Sequence, residues 1–251
     1  MKPQQGARLL FTVAGATKLG RQGYWQKTRS SIRFLVRAFW RRRVHGDAVG
    51  ALALALRVRD SFVYEHSARV AGYARAIALT MGLGAKAAEE IHAAGLLHDI
   101  GKIGVPDRIL KKPGPLDRTE MSEIRLHPVL SAEMVKPFST LKPLLPYILY
   151  HQERHDGKGY PDGLVGEAIP LGARVLCVAD AFDAITSVRP YRPVPAGYRW
   201  ALAELERGAG SQFDPDVVAV LSALVREKAL HTSLPEKTFG NDLNTAICGA
   251  P

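Results

Sequence analysis

Cysteine is scarce: the 251 residues hold two, Cys177 and Cys248, which sit far apart and match no paired zinc spacing. A disulfide framework is not expected on that count, and a reducing cytoplasm is the expected compartment. Long apolar runs are missing as well, and none reaches the roughly 20 residues that a membrane-spanning helix needs. Leu9 to Ala16 is a short, broken apolar stretch without a convincing cleavage site, which argues against a secretory signal. There is no alternating strand pattern of useful length, no internal repeat and no low-complexity tract, so the expected fold is all-α. Apolar residues make up 47% of the chain, enough for a proper core in one large domain or two small ones.

Acid is absent from one part of the chain. Residues 1–46 carry 11 Lys and Arg and no Asp or Glu, leaving 23 basic against 24 acidic residues, a net of −1, for 47–251. The overall charge of +10 therefore belongs to the amino-terminal segment, and a nucleic-acid partner is disfavoured. Within that segment Arg29, Arg33, Arg37 and Arg41 recur every four residues beside an apolar stripe of Ile32, Leu35, Val36, Phe39 and Trp40. The pattern predicts a basic amphipathic helix over 28–43, with three destinations: an anionic membrane surface, a partner helix, or its own domain. An Arg-rich, acid-free start also resembles an organellar transit peptide, and the plainest alternative is the remnant of a linker. The expected location is the cytoplasm, with attachment to the inner face of the membrane as the elaboration. The expected divisions are a basic segment at 1–46, a domain at 47–228 and an irregular tail at 229–251.

From Asp47 the pattern is helical with short polar breaks. Val63, His66, Val70, Tyr73 and Ile77 share one helical face, so His66 points where the core should be. A helix over about 85–99, with Ile91, Ala94 and Gly95 on its apolar face, delivers His98 and Asp99 side by side just before Gly101, Gly104 and Pro106 stop it. After a turn rich in Gly and Pro at 111–115, Asp117 is a plausible N-cap with Glu120 at the capping-box position. That helix should falter at His127, because Pro128 disfavours helical geometry in the residue before it. Pro146 suits a first turn and sets Tyr147, Ile148 and His151 on a shared face. Residues 152–171 form a long glycine-bearing loop; the next helix places Leu176, Cys177, Asp180 and Asp183 along one side, and helices near 196–207 and 214–227 complete the domain.

Four of the eight histidines, His66, His98, His127 and His151, fall on these core faces or at helix ends, and with Asp180 they follow one another at separations of 32, 29, 24 and 29 residues. That is about one per successive helix, as a site built inside a bundle requires. One histidine on an apolar face is more often a satisfied core residue than a ligand; four, with Asp99 and Asp180, reverse that expectation. A buried carboxylate with no partner loses several kcal/mol of hydration, so the cluster calls for a cation. Mixed imidazole and carboxylate ligands suit Fe, Mn, Zn, Ni or Co, and Asp99 can bridge two ions through its two oxygens. Two such ions make hydroxide accessible near neutral pH and steady an in-line attack at phosphorus, so phosphate-ester hydrolysis is the natural chemistry. Lys102, Arg189 and Arg192 supply cations for phosphate oxygens, although Arg192 alone reads as an ordinary surface residue.

These residues resemble the HD-GYP family of cyclic di-GMP phosphodiesterases. The resemblance covers about 56–220 through His66-Ser67-Ala68-Arg69-Val70-Ala71, His98-Asp99-Ile100-Gly101-Lys102, Ile109-Leu110-Lys111-Lys112-Pro113-Gly114 and His127-Pro128. It continues in Glu153-Arg154-His155-Asp156-Gly157-Lys158-Gly159-Tyr160-Pro161, Val178-Ala179-Asp180, Arg189-Pro190-Tyr191-Arg192 and Gln212-Phe213-Asp214-Pro215. It implies an HD-type helical bundle around two or three metal ions that hydrolyses the bacterial second messenger to the linear dinucleotide pGpG or to GMP. By the same resemblance His66, His98, Asp99, His127, His151 and Asp180 are the ligands, Lys102 stands with Asp99 at the reacting phosphate, and Asp183, Arg189, Arg192, Gly159, Tyr160 and Pro161 meet substrate. The Gly159-Tyr160-Pro161 loop borders the pocket or meets a partner such as a diguanylate cyclase or another signalling domain; read without the family, it is a tight turn.

Two departures stand out. The second of two consecutive histidines usual in the family is Gln152, a weaker ligand than imidazole, and the glutamate that serves a third ion is Phe62. The expected centre therefore holds two divalent ions, Fe or Mn first, with Ni, Co or Zn as alternatives. The rival expectations are a catalytically impaired module that binds the nucleotide or a partner, motivated by Gln152, and a phosphohydrolase for another nucleotide.

Overall fold

The computed structural model describes residues 48–187 and 197–231, with side chains to 227. The expected helix at 28–43, the rest of the basic segment, Arg189, Arg192 and Cys248 lie outside the described residues. Helix α1 covers 48–59, followed by α2 (Ser61–Thr80), α3 (Gly84–Leu97), α4 (Asp107–Leu110), α5 (Arg118–Ile124) and α6 (His127–Val135). Then come α7 (Leu145–Leu149), α8 (Leu171–Thr186), α9 (Tyr198–Gly208) and α10 (Pro215–His231), the last running past the expected boundary at 228. Short 3-10 turns at Ile100–Gly104, Ser139–Leu144 and Gly166–Ala168 join them. Among the described residues there is no strand beyond two isolated bridges, Asp156 with Val165 and Ala209 with Phe213, and no helix is long and apolar enough to cross a membrane.

Local chemistry explains where the helices begin. The Asp60 side chain accepts from the backbone amides of Phe62 and Val63 at 3.0 and 3.2 Å, which caps α2. Asp117 and Glu120 form the expected capping box, each carboxylate accepting the other's backbone N–H at 2.9 Å. The break near Pro128 falls earlier than expected: α5 ends at Ile124 and His127 already belongs to α6. Pro128 sits in the first turn of the new helix, where its missing N–H costs nothing.

The core is aliphatic with one aromatic pair. Val70, Tyr73 and Ile77 of α2 pack with Ile91, Ala94 and Leu97 of α3 and with Leu176, Ala179 and Phe182 of α8. Tyr73 and Phe182 meet edge to face with centroids 5.2 Å apart. Helices α2 and α3 lie so close that a Cβ on Gly95 would stand 2.7 Å from Ala71 Cα, so only glycine fits there. This contact brings the start of α2 against the end of α3, and His66 against His98 and Asp99.

Candidate metal centre

Five separate elements each deliver one part of the cluster. His66 comes from the second turn of α2, His98 and Asp99 from the turn that ends α3, His127 from the first position of α6, His151 from just past α7, and Asp180 from the third turn of α8. His98 is 0% exposed, Asp99 and His151 1%, and His66 and His127 3%, whereas the Asp180 side chain keeps 23% of its surface and marks the open side.

Asp99 is the hub. Its Oδ2 lies 3.3 Å from His98 Nε2, 3.7 Å from His66 Nε2 and 2.6 Å from Lys102 Nζ, and its Oδ1 lies 3.3 Å from His127 Nε2. Asp180 Oδ1 is 3.0 Å from His66 Nε2, and the Nε2 atoms of His127 and His151 are 3.3 Å apart. Two sets of ligand atoms, from His66, His98 and Asp180 and from His98, Asp99 and His151, each gather within 4.8 Å.

The hydrogen bonds fix which ring nitrogens carry lone pairs. The Nδ1 atoms of His98, His127 and His151 lie 2.7 Å from the carbonyl oxygens of Gly95, Ile124 and Ile148, and a carbonyl only accepts, so each Nδ1 donates. Burial then keeps two of these rings neutral: it pushes His127 down to about 4 and His151 down to about 3, aided in His151 by the neighbouring rings. Their Nε2 lone pairs therefore face one another and the Asp99 carboxylate. Asp99 Oδ1 and His98 Nε2 are buried with no hydrogen-bond partner. Ring nitrogens and a carboxylate oxygen left without a donor at this spacing fit a divalent cation, which is what imidazole nitrogen and carboxylate oxygen together select.

His66 differs from the other three. Burial opposes its charge, but hydrogen bonds to Asp180 and Asp183 outweigh it and raise the ring to about 9. Asp99 stays ionised well below the usual carboxylate range: desolvation opposes this, and the adjoining His98 ring and the Lys102 ammonium overcome it. Asp180 is likewise lowered against its burial by the hydrogen bond to His66.

The remaining expected residues divide. Lys102 reaches the cluster through Asp99. Gln152 turns its amide nitrogen to Asp180 Oδ2 at 3.3 Å, so it presents a donor where a ligand needs a lone pair. Asp183, expected at the substrate, is 0% exposed and lies behind His66: its Oδ2 accepts a hydrogen bond from His66 Nδ1 at 2.7 Å, and Arg69 clamps both its oxygens at 2.6 and 3.1 Å. Full burial keeps it from a ligand in the open pocket. Tyr160 stands at the rim, its ring centroid 6.4 Å from that of His127 and under the Arg125 guanidinium. Gly159 makes the tight turn before it, where a Cβ would meet Arg154 N at 2.3 Å, and Pro161 follows through a cis peptide bond.

Sequence reasoning missed the supports. Arg69 lies one turn past His66 on α2 and Asp183 one turn past Asp180 on α8, a spacing that signals a shared face but not the pairing between helices. Glu153 is 2% exposed, and its Oε1 accepts from the amides of Asp162 and Gly163 at 2.8 and 2.9 Å, pinning the loop around Tyr160. Ser131 Oγ donates to the His98 carbonyl at 2.7 Å and accepts from Gly101 N at 2.8 Å, holding the His-Asp turn.

A helical bundle with this His-Asp hub matches the HD-domain family model over residues 51–217, and the chain belongs to that family. Among curated proteins it is 40% identical over 191 residues to the cyclic di-GMP phosphodiesterase response regulator RpfG of Xanthomonas campestris, covering 73% of this chain and 48% of that protein. It is 35% identical over 191 residues to the 3'3'-cGAMP-specific phosphodiesterase 3 of Vibrio cholerae, covering 76% of this chain and 41% of that protein. The chain thus spans less than half the length of these two relatives. Among solved structures, a HDG"Y"P protein of Bdellovibrio bacteriovorus shares the fold with a TM-score of 0.55 at 20% identity, over 73% of this chain and 62% of that one.

Proposed function

We propose that this chain hydrolyses a phosphodiester bond of a cyclic dinucleotide, cyclic di-GMP first, at a centre of two divalent ions, with Fe or Mn as the expected metals. The observation that carries the reading is the buried cluster around Asp99: three imidazoles whose Nδ1 atoms are committed to backbone carbonyls, and a carboxylate oxygen with no hydrogen-bond partner. The names of the relatives supply the substrate class. His66, His98, Asp99 and Asp180 would hold one ion and Asp99, His127 and His151 the other. When bound, the ions supply Lewis acidity toward phosphate oxygens and make water acidic enough to attack near neutral pH.

The chain's own side chains do the rest. Backbone carbonyls orient three of the rings toward Asp99, and Lys102, 2.6 Å from it, brings an ammonium to where charge grows on phosphorus oxygens. Asp180 leaves the centre open on one side, which is where substrate enters. Arg189 and Arg192 are proposed for phosphate, and Gly159, Tyr160 and Pro161 for the pocket rim or a signalling-domain partner. Protein loaded with Mn should convert cyclic di-GMP to pGpG or GMP, followed by liquid chromatography, and Asp99→Ala should abolish both turnover and metal content. Activity only on 3'3'-cGAMP would move the substrate within the class, and activity on neither would end the reading.

Gln152 supports a second reading, a module that binds the nucleotide without turning it over, because its amide donor occupies an Asp180 oxygen. Wild-type binding without turnover, with activity gained in Gln152→His, would decide for it. The basic segment at 28–43 is proposed as an anionic-membrane or partner contact, tested by vesicle sedimentation.

A further inference from the structure

Cations around the cluster are held by carboxylates. Lys102 is held by Asp99 at 2.6 Å, Arg69 by Asp183 at 2.6 Å and Arg154 by Asp156 at 2.9 Å. Arg125 is different. It follows directly on the end of α5, two residues ahead of His127, and no carboxylate pairs with it among the described residues. The contact its side chain makes is with an aromatic face: Cζ lies 5.3 Å from the centroid of Tyr160, whose ring stands edge-on to His127. A guanidinium lying on a ring keeps the N–H groups at its edge free, and that planar fork matches two oxygens of a phosphodiester.

The substrate class supplies the counterpart. A cyclic dinucleotide carries two phosphodiesters in one macrocycle, and only one can occupy the reacting position. The other is an anion held close by the ring, and it needs a cation that is not already neutralised. We infer that Arg125, braced on Tyr160, binds this second phosphodiester while the first lies at the His-Asp centre. The inference rests on the functional reading above. It assigns the Tyr160 ring a task as well, since the ring sets the height and direction of the fork. Arg125 thereby favours ligands with two phosphodiesters over those with one phosphate.

The test uses the full chain loaded with Mn, with Arg125→Met, which keeps contact with the ring but loses the charge, and Arg125→Lys, which returns a point charge. Calorimetry measures the affinity for cyclic di-GMP and for GMP, with initial rates alongside. Arg125→Met is expected to weaken cyclic di-GMP by about tenfold or more, in line with loss of a charge-assisted bidentate pair. KM should rise in step while kcat carries the smaller share. GMP should lose less, and Arg125→Lys should recover part of the loss. Equal affinities in wild type and Arg125→Met would overturn the inference, as would equal losses for the two ligands, or Arg125→Lys no better than Arg125→Met. Wild-type binding without turnover sinks the hydrolytic reading alone, since the affinity comparison still decides Arg125. A wild type that binds no cyclic dinucleotide sinks both.

Discussion

Removing the Asp183 carboxylate strips four hydrogen bonds from the wall behind the cluster: two from Arg69, one from His66 and one from Ser187, at 2.6 to 3.1 Å. In Asp183→Ala the buried His66 Nδ1 loses its acceptor and the Arg69 guanidinium loses its counter-charge. Breaking a buried charge pair from one side costs about 3–5 kcal/mol. The Arg69 side chain keeps 20% of its surface, so water recovers part of its solvation and the lower end, about 3 kcal/mol, applies. For a domain of this size that lowers the melting temperature by about 6–12 °C. His66 is also freed to turn, so affinity for Mn should fall roughly 10- to 100-fold, the usual effect of removing a carboxylate behind a ligating histidine. Asp183→Asn, which can still accept from His66 but turns an amide nitrogen to Arg69, should lie between. Thermal unfolding of metal-free protein reads the first effect and competition with a chromophoric chelator the second. Stability within 1 kcal/mol of wild type together with unchanged metal affinity, judged against the costs above, would refute the orienting role.

Ser131→Ala leaves the Gly101 N–H without its 2.8 Å acceptor and the His98 carbonyl without its 2.7 Å donor, both at the His-Asp turn. Urea unfolding should show a loss of about 1–3 kcal/mol with an unchanged slope, the penalty for a buried orphan. Asp156 titrates in acid: hydrogen bonds from Arg154 hold its carboxyl down to about 2, against an ordinary value near 4. Because the folded pKa is depressed, its contribution is complete above about pH 4 and disappears as the pH falls toward 2. Melting temperatures across that window should fall less steeply in Asp156→Asn than in wild type, and parallel curves would count against the pairing. Glu153→Ala frees the amides of Asp162 and Gly163, and hydrogen exchange at those two positions should accelerate while exchange in α2 and α3 does not.

Local rules carried most of the fold. The Asp117-Glu120 box needs only four consecutive residues, and the face shared by His66, Val70, Tyr73 and Ile77 needs only the helical period, so both were legible. The position of Asp183 was not. Residues 180 and 183 share a side of α8, yet Asp180 keeps part of its surface and Asp183 none, because periodicity gives direction and not depth. The partner of Arg69 lies 114 residues away, and no spacing rule connects them. By residue type Gln152 is a weak substitute ligand through its amide oxygen. The neighbouring Asp180 carboxylate, a pure acceptor, attracts the nitrogen end instead.

Three rings of the cluster bond to a carbonyl three residues back in the chain, His98 to Gly95, His127 to Ile124 and His151 to Ile148. Each Nδ1 is therefore committed by backbone close to it in the chain and not by another part of the cluster. A cation settling among them would take up the lone pairs of His127 and His151, which burial keeps neutral, without expelling protons from those two rings. His66, held near 9 by its two aspartates, would have to give one up.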